Sequence, residues 1–305
     1  MLHNLRIRLF GRFSVLLDER PVSGLDSAKL QELLSYLLVH RNSSHARETL
    51  ATLLWGETST TQSKKYLRQA LWQLQSALEA GEERGGPRAF NVEPDWVSLN
   101  RNGGIWLDLE EFEQAFARAR EVAGQHLDET AAAALEAAVQ LYQGDLLEGW
   151  YQDWCICERE RLQANYLLML DKLMSHCEAR QKYETGLTHG LTVLRYDRAR
   201  ESTHRRLMRL YYLAGNRTGA LRQYENCANA LREELGVKPS RLTVTLFEQM
   251  RLDEFHSPGP PRGGDSSLLP RIRDHLKQMR TALKEIHGQV QQDIKAVEAA
   301  LDKWR

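Results

Sequence analysis

The sequence predicts a mainly α-helical protein with a small β component, on three observations. Residues 5–17 alternate apolar and polar side chains. From Ala28 onward, apolar residues recur three and four apart through most of the chain. Between residues 170 and 227, a set of core-type positions repeats at an offset of 34. At 305 residues the chain has room for two domains and a tail. Its formal net charge is zero, so any nucleic-acid binding must come from a local patch and not from a global positive field. No apolar run approaches the roughly 20 residues needed to span a membrane, and MLHNLRIRLF is too short in apolar content for a secretory signal, so a cytoplasmic protein is expected.

Leu5, Ile7 and Leu9 alternate with Arg6 and Arg8, and Phe13, Val15 and Leu17 alternate again after Gly11, which predicts a small antiparallel meander. Ala28–His40 is a predicted helix with Leu30, Leu33, Leu34, Leu37 and Leu38 inward. A second helix runs from about His45 to Trp55, and Gly56-Glu57-Thr58 ends it. The third helix, Ser59 to Leu78, aligns Leu67, Leu71, Leu74 and Leu78 on one face. Its other face carries Lys64, Lys65, Arg68, Gln69, Trp72, Gln73 and Ser76. A buried stripe backed by a cationic, amide-rich face suits a DNA major groove, where Lys and Arg meet phosphate and amides read base edges. Gly81 to Pro87 reads as a polar loop. Ala89–Val92 and Trp96–Leu99 then read as short strands across Glu93-Pro94-Asp95, and Ile105–Leu107 follows Arg101-Asn102-Gly103-Gly104 as a third, together a hairpin that forms a wing behind the third helix.

From Leu109 the pattern is helical. Glu110–Ala123 and Thr130–Tyr142 are predicted helices, and Leu170, Leu173, Gly186 and Val193 recur as His204, Leu207, Ala220 and Cys227. That is tetratricopeptide spacing, with small residues letting paired helices approach, and such arrays usually bind proteins. Residues 256–267, rich in Pro and Gly, read as a linker. Beyond it Leu269, Ile272, Leu276, Met279, Leu283, Ile286 and Val290 form a heptad seam, with a stutter before Ile294. This C-terminal helix, 268–305, is read as a coiled coil or as an amphipathic helix docked on another domain. Its basic residues leave a membrane-surface or nucleic-acid role open.

No GxGxxG, Walker, GxSxG or HExxH motif is present, so no enzyme activity, cofactor or metal is expected. Cys155, Cys157, Cys177 and Cys227 show no ligand spacing and read as reduced, buried thiols. His204 reads as a satisfied helical histidine.

The order of meander, three helices and hairpin resembles an OmpR/PhoB-type winged helix. Leu54-Trp55-Gly56-Glu57, Tyr66-Leu67-Arg68-Gln69-Ala70-Leu71-Trp72-Gln73-Leu74 and Trp106-Leu107-Asp108 with Phe112 resemble the SARP/AfsR family of bacterial transcriptional activators. Leu141-Tyr142-Gln143-Gly144-Asp145-Leu146-Leu147, Tyr211-Tyr212-Leu213-Ala214-Gly215-Asn216-Arg217 and Glu234-Leu235-Gly236-Val237-Lys238-Pro239-Ser240 are similar to that family's activator domain. The resemblance implies a winged helix-turn-helix over 1–108 and a TPR-like bacterial transcriptional activator domain over 109–255. It implies a sequence-specific DNA-binding activator that contacts RNA polymerase and acts as a homodimer. DNA contacts would come from Lys64, Lys65, Arg68, Gln69, Trp72 and Gln73, with Asn100 and Arg101 in the wing. Gly56, Glu57, Thr58, Ser59 and Thr60 would face polymerase. Where the family carries arginines, this chain has Gln73, Gln75 and Ser76, which implies modest affinity. Ala46 stands where a capping serine is common, a loss of about 1 kcal/mol unless Ser44 substitutes. The competing reading is a TPR-type interaction adaptor whose winged helix no longer binds DNA.

Overall fold

A computed structural model describes residues 5–78, 89–100 and 104–255; Arg101, the 81–87 loop, the linker 256–267 and the heptad segment lie outside the described residues. β1 (Leu5–Arg8) and β2 (Ser14–Leu17) pair antiparallel with Ile7 opposite Val15, and β3 (Arg20–Pro21) extends the meander. α1 (Ala28–Val39) buries Leu30, Leu33, Leu34, Leu37 and Leu38, as its spacing predicts. α2 (Arg47–Trp55) and α3 (Thr60–Leu78) follow, then β5 (Phe90–Val92) and β6 (Trp96–Leu99) as an antiparallel hairpin. Between α1 and α2 lies a short strand that we call β4 (His45–Ala46), which pairs with β6 and completes a sheet of order β4-β6-β5.

Two expectations are corrected here. The second helix starts at Arg47, because His45 and Ala46 are drawn into the sheet, His45 opposite Val97. Residues 105–107, β7 (Ile105–Leu107), do not belong to the hairpin. They cross to the N-terminal meander and pair in parallel with β1, Ile7 opposite Leu107, giving the order β3-β2-β1-β7. Gly104, at φ 63°, precedes the crossing strand in a conformation that side-chain-bearing residues rarely adopt.

Seven helices complete the described chain: α4 (Asp108–Ala119), α5 (Glu129–Leu141), α6 (Asp153–Ala179), α7 (Tyr183–Tyr196), α8 (Glu201–Leu213), α9 (Arg217–Leu235) and α10 (Arg241–Arg251). The 34-residue offset is visible in the backbone. Gln181 and Gly215 both end a turn at positive φ, 58° and 79°. Lys182 N–H donates to the Cys177 carbonyl and Asn216 N–H to that of Tyr211, each pair 34 apart. Leu170, Leu173, Val193 and their counterparts His204, Leu207 and Cys227 are all buried. Gly190 shows how tightly the pairs pack: a Cβ there would stand 2.5 Å from Leu207 Cδ2 and 2.7 Å from Met174 Cε.

One apolar core runs from Leu5 to Val193 and so crosses the expected 108/109 boundary. At that boundary sits Asp108, only 2 % exposed. Its carboxylate accepts the N–H groups of Leu9 (2.9 Å), Phe10 (3.0 Å) and Leu109 (2.7 Å). Burial pushes its carboxyl up to about 6, against the pull of those three donors and of Arg8. The segment after β1 also pairs with the loop after α5: Gly11 N–H donates to Asp145, Leu147 N–H to Leu9, and Glu148 N–H to Gly11. Phe10 packs edge-on against Phe112 at 5.0 Å.

α6 joins the two regions. Near its start, Trp154 packs on Tyr36 and His40 of the α1 end, at 5.4 and 6.2 Å. Arg159 donates to the carbonyls of Leu146, Leu147 and Trp150. Arg161 and Arg41 both pair with Glu113 of α4. The last turns of α6 form the first helix of the repeat array. In the first turns of α6 Cys155 is buried but Cys157 is exposed, which corrects the expectation of four buried thiols. Two residues apart on a helix, the two thiols point about 200° apart.

Candidate nucleic-acid interface

α3 is amphipathic, and that property places it. Leu67, Leu71, Leu74 and Leu78 are buried against α1 and α2, so the opposite face is held outward. Lys64, Lys65, Arg68, Gln69 and Trp72 are exposed on that face, and Gln73 is half-buried. Trp72 is 65 % exposed, an unusual position for indole on a monomer surface. Among the described residues, no carboxylate forms an ion pair with Lys65 or Arg68. Lys64 is different: its Nζ lies 2.5 Å from Glu48 Oε1 in the first turn of α2. That contact holds the Glu48 carboxyl below its usual range.

The hairpin turn, Glu93-Pro94-Asp95, stands beside this face. It is held there by α2: Arg47 N–H donates to the Asp95 carbonyl at 2.9 Å, and the Arg47 guanidinium to that of Glu93 at 3.1 Å. The first bond also answers the capping question. Ala46 makes no side-chain cap, and the Asp95 carbonyl takes one of the helix's unpaired N–H groups instead. Together α2, α3 and the turn enclose a groove of about 590 Å³, lined by Arg47, Glu48, Lys64, Leu67, Arg68 and Trp96, among others. Trp96 is exposed at its edge.

The sequence places the wing around Asn100 to Gly104, of which 101–103 lie outside the described residues. The turn between β5 and β6 is Glu93–Asp95. Asn100 lies at the other end of β6, where its N–H donates to the Ala89 carbonyl and closes the base of the hairpin. Four residues of strand separate the two ends, about 13 Å. Asn100 instead lines a crevice with Leu38, Arg41, Ile105 and Glu110. Glu48, Arg47 and Trp96 are neighbours of the face that the sequence reading missed. A two-residue strand carries no alternation to reveal the pairing that brings them in.

Gly56 to Thr60 forms an exposed turn between α2 and α3, with Thr58 N–H and Oγ1 both bonded to the Trp55 carbonyl. Gly56 is required by close approach, since a Cβ would stand 2.6 Å from the Thr52 carbonyl oxygen. Leu53, also exposed, lies on the same helix.

In the repeat array His204 is buried and satisfied: Nε2 bonds the Arg198 carbonyl at 2.8 Å, and Gln223 Nε2 donates to Nδ1 at 2.8 Å. Burial lowers its pKa, so the ring is held neutral. Among the described residues no three metal-ligating side chains converge, and no helix is long and apolar enough to cross a membrane.

Three comparisons bear on this architecture. The family model described as the bacterial transcriptional activator domain matches residues 107–251. No curated protein matches the chain. Among solved structures, the chain is similar in fold to Mycobacterium tuberculosis EmbR, determined in complex with a low-affinity phosphopeptide. The TM-score is 0.68 at 20 % identity, over 84 % of this chain and 67 % of that one.

Proposed function

We propose that this chain, a transcriptional regulator of the SARP type by the activator domain at residues 107–251, binds DNA sequence-specifically through α3 and activates by recruiting RNA polymerase. The observation that carries the reading is the outward face of α3, flanked by the hairpin turn and backed by a fully buried leucine stripe. In the major groove Lys65 and Arg68 meet phosphate or guanine, and Gln69 and Gln73 meet base edges. Trp72 supplies an apolar surface suited to a thymine methyl group or to a sugar. The turn at Glu93–Asp95 faces the adjacent backbone. The exposed loop Gly56–Thr60 is the polymerase-facing element, and the repeat array supports a homodimer.

Fluorescence anisotropy with duplexes selected from a random pool tests this. Wild type should bind below 100 mM salt, and K65A and R68A should each weaken binding roughly 5- to 100-fold. No binding at low salt, or indifference to both substitutions, refutes the DNA reading and favours an adaptor working through the repeats.

A further inference from the structure

We propose that Glu48 sets how tightly the α3 groove takes DNA, by holding the Lys64 ammonium that a backbone phosphate would otherwise bind. The inference rests on the DNA-binding reading above. Lys64 and Glu48 meet across the groove between α2 and α3, with side chains 46 % and 77 % exposed. An exposed pair of this kind contributes little to the fold. Its consequence is chemical. Glu48 sits in the first turn of α2, where backbone N–H groups and the helix dipole favour an anion. Its Oε1 therefore takes the ammonium partner that a phosphate oxygen would take. The neighbouring Arg47 keeps its charge in the same groove, with one of its donors turned to the Glu93 carbonyl, so the effect assigned to Glu48 is specific to Lys64. Asp95, on the turn, adds a second carboxylate to the lining of the same groove.

A phosphate entering the groove must displace Glu48 from Lys64. That step opposes binding, and it acts on phosphate, which every sequence carries. Glu48 thus lowers affinity for specific and non-specific DNA together, and leaves discrimination to Gln69, Gln73 and Trp72.

The test is a salt titration of DNA binding by the full chain, followed by anisotropy. E48Q should bind selected and scrambled duplexes roughly 3- to 10-fold tighter at 100 mM salt, with the ratio between the two duplexes unchanged. The log–log salt slope should steepen by about 0.9, one added phosphate contact. In the K64A background E48Q should gain less than about twofold, with no change in slope, because the ammonium it would release is gone. E225Q, which makes the same charge change at an exposed position of α9, should bind as wild type. Gains that match between E48Q and E225Q, or that survive K64A, would reduce the effect to bulk charge and overturn the inference. So would wild-type binding that E48Q leaves unaltered. Failure of both wild type and E48Q to bind at 50 mM salt would overturn the DNA reading itself, and the Glu48 inference with it. Circular dichroism establishes that each variant is folded.

Discussion

Replacing Asp108 with alanine should cost this fold about 2–5 kcal/mol. The carboxylate is the acceptor for three buried N–H groups, those of Leu9, Phe10 and Leu109. Orphaning a buried donor costs about 1–3 kcal/mol each. Against that, alanine removes a charge whose burial is itself unfavourable. A shift from 3.8 to about 6 corresponds to about 3 kcal/mol. The pH dependence separates the two effects. A carboxyl raised on folding adds stability that is fully present below its unfolded pKa and lost as pH rises through about 6. Between pH 7 and pH 5 the wild type should therefore gain about 1.4 kcal/mol from this group that D108A cannot gain. Urea unfolding followed by circular dichroism at both pH values reads the difference directly. A gap between wild type and D108A of less than about 1 kcal/mol at pH 7, or one that narrows toward pH 5, would refute the account.

Two further outcomes follow from the repeat array. G190A should destabilise by about 1–3 kcal/mol in thermal unfolding, because the new methyl overlaps Leu207 and Met174 in a closely packed helix pair. His204 is held neutral by burial, so its contribution is present above the ordinary histidine pKa and lost as pH falls through the lowered one. H204Q should flatten the acid limb of the stability profile, and an unchanged limb would remove His204 from the account.

The parts of the fold that could be read in advance are those whose cause is local. The leucine stripe of α3 needs only helical spacing, and the 34-residue offset needs only matching core positions with glycine or alanine where helices touch. Trp72 could be placed opposite the stripe for the same reason. What could not be read depends on partners far along the chain. β7 follows directly on the hairpin, yet it pairs with β1, about 100 residues earlier, and nothing local in Ile105-Trp106-Leu107 distinguishes the two choices. Asp108 looks like an ordinary residue at a helix start until Leu9 and Phe10 are brought to it. The turn Glu93-Pro94-Asp95 is legible between its two alternating runs; that it stands beside α3 is not, because this depends on Arg47 of α2 reaching the Asp95 and Glu93 carbonyls. The Glu48–Lys64 contact also depends on how α2 and α3 cross, which spacing along either helix does not specify.

α6 is a single uninterrupted helix of 27 residues, about 40 Å long. One end meets the winged region through Trp154, which packs on Tyr36 and His40, and through Glu113, which Arg161 shares with Arg41, and the other is the first member of the repeat array. No proline or unwound turn divides it. It behaves mechanically as a lever whose arm is its own length. A partner that tilted the array by about 5° would swing the opposite end through about 3.5 Å, the order of the helix shifts by which regulatory proteins change state. Motion imposed at the repeats would reach Tyr36 and His40 at the end of α1 through Trp154, with no break in the helix between.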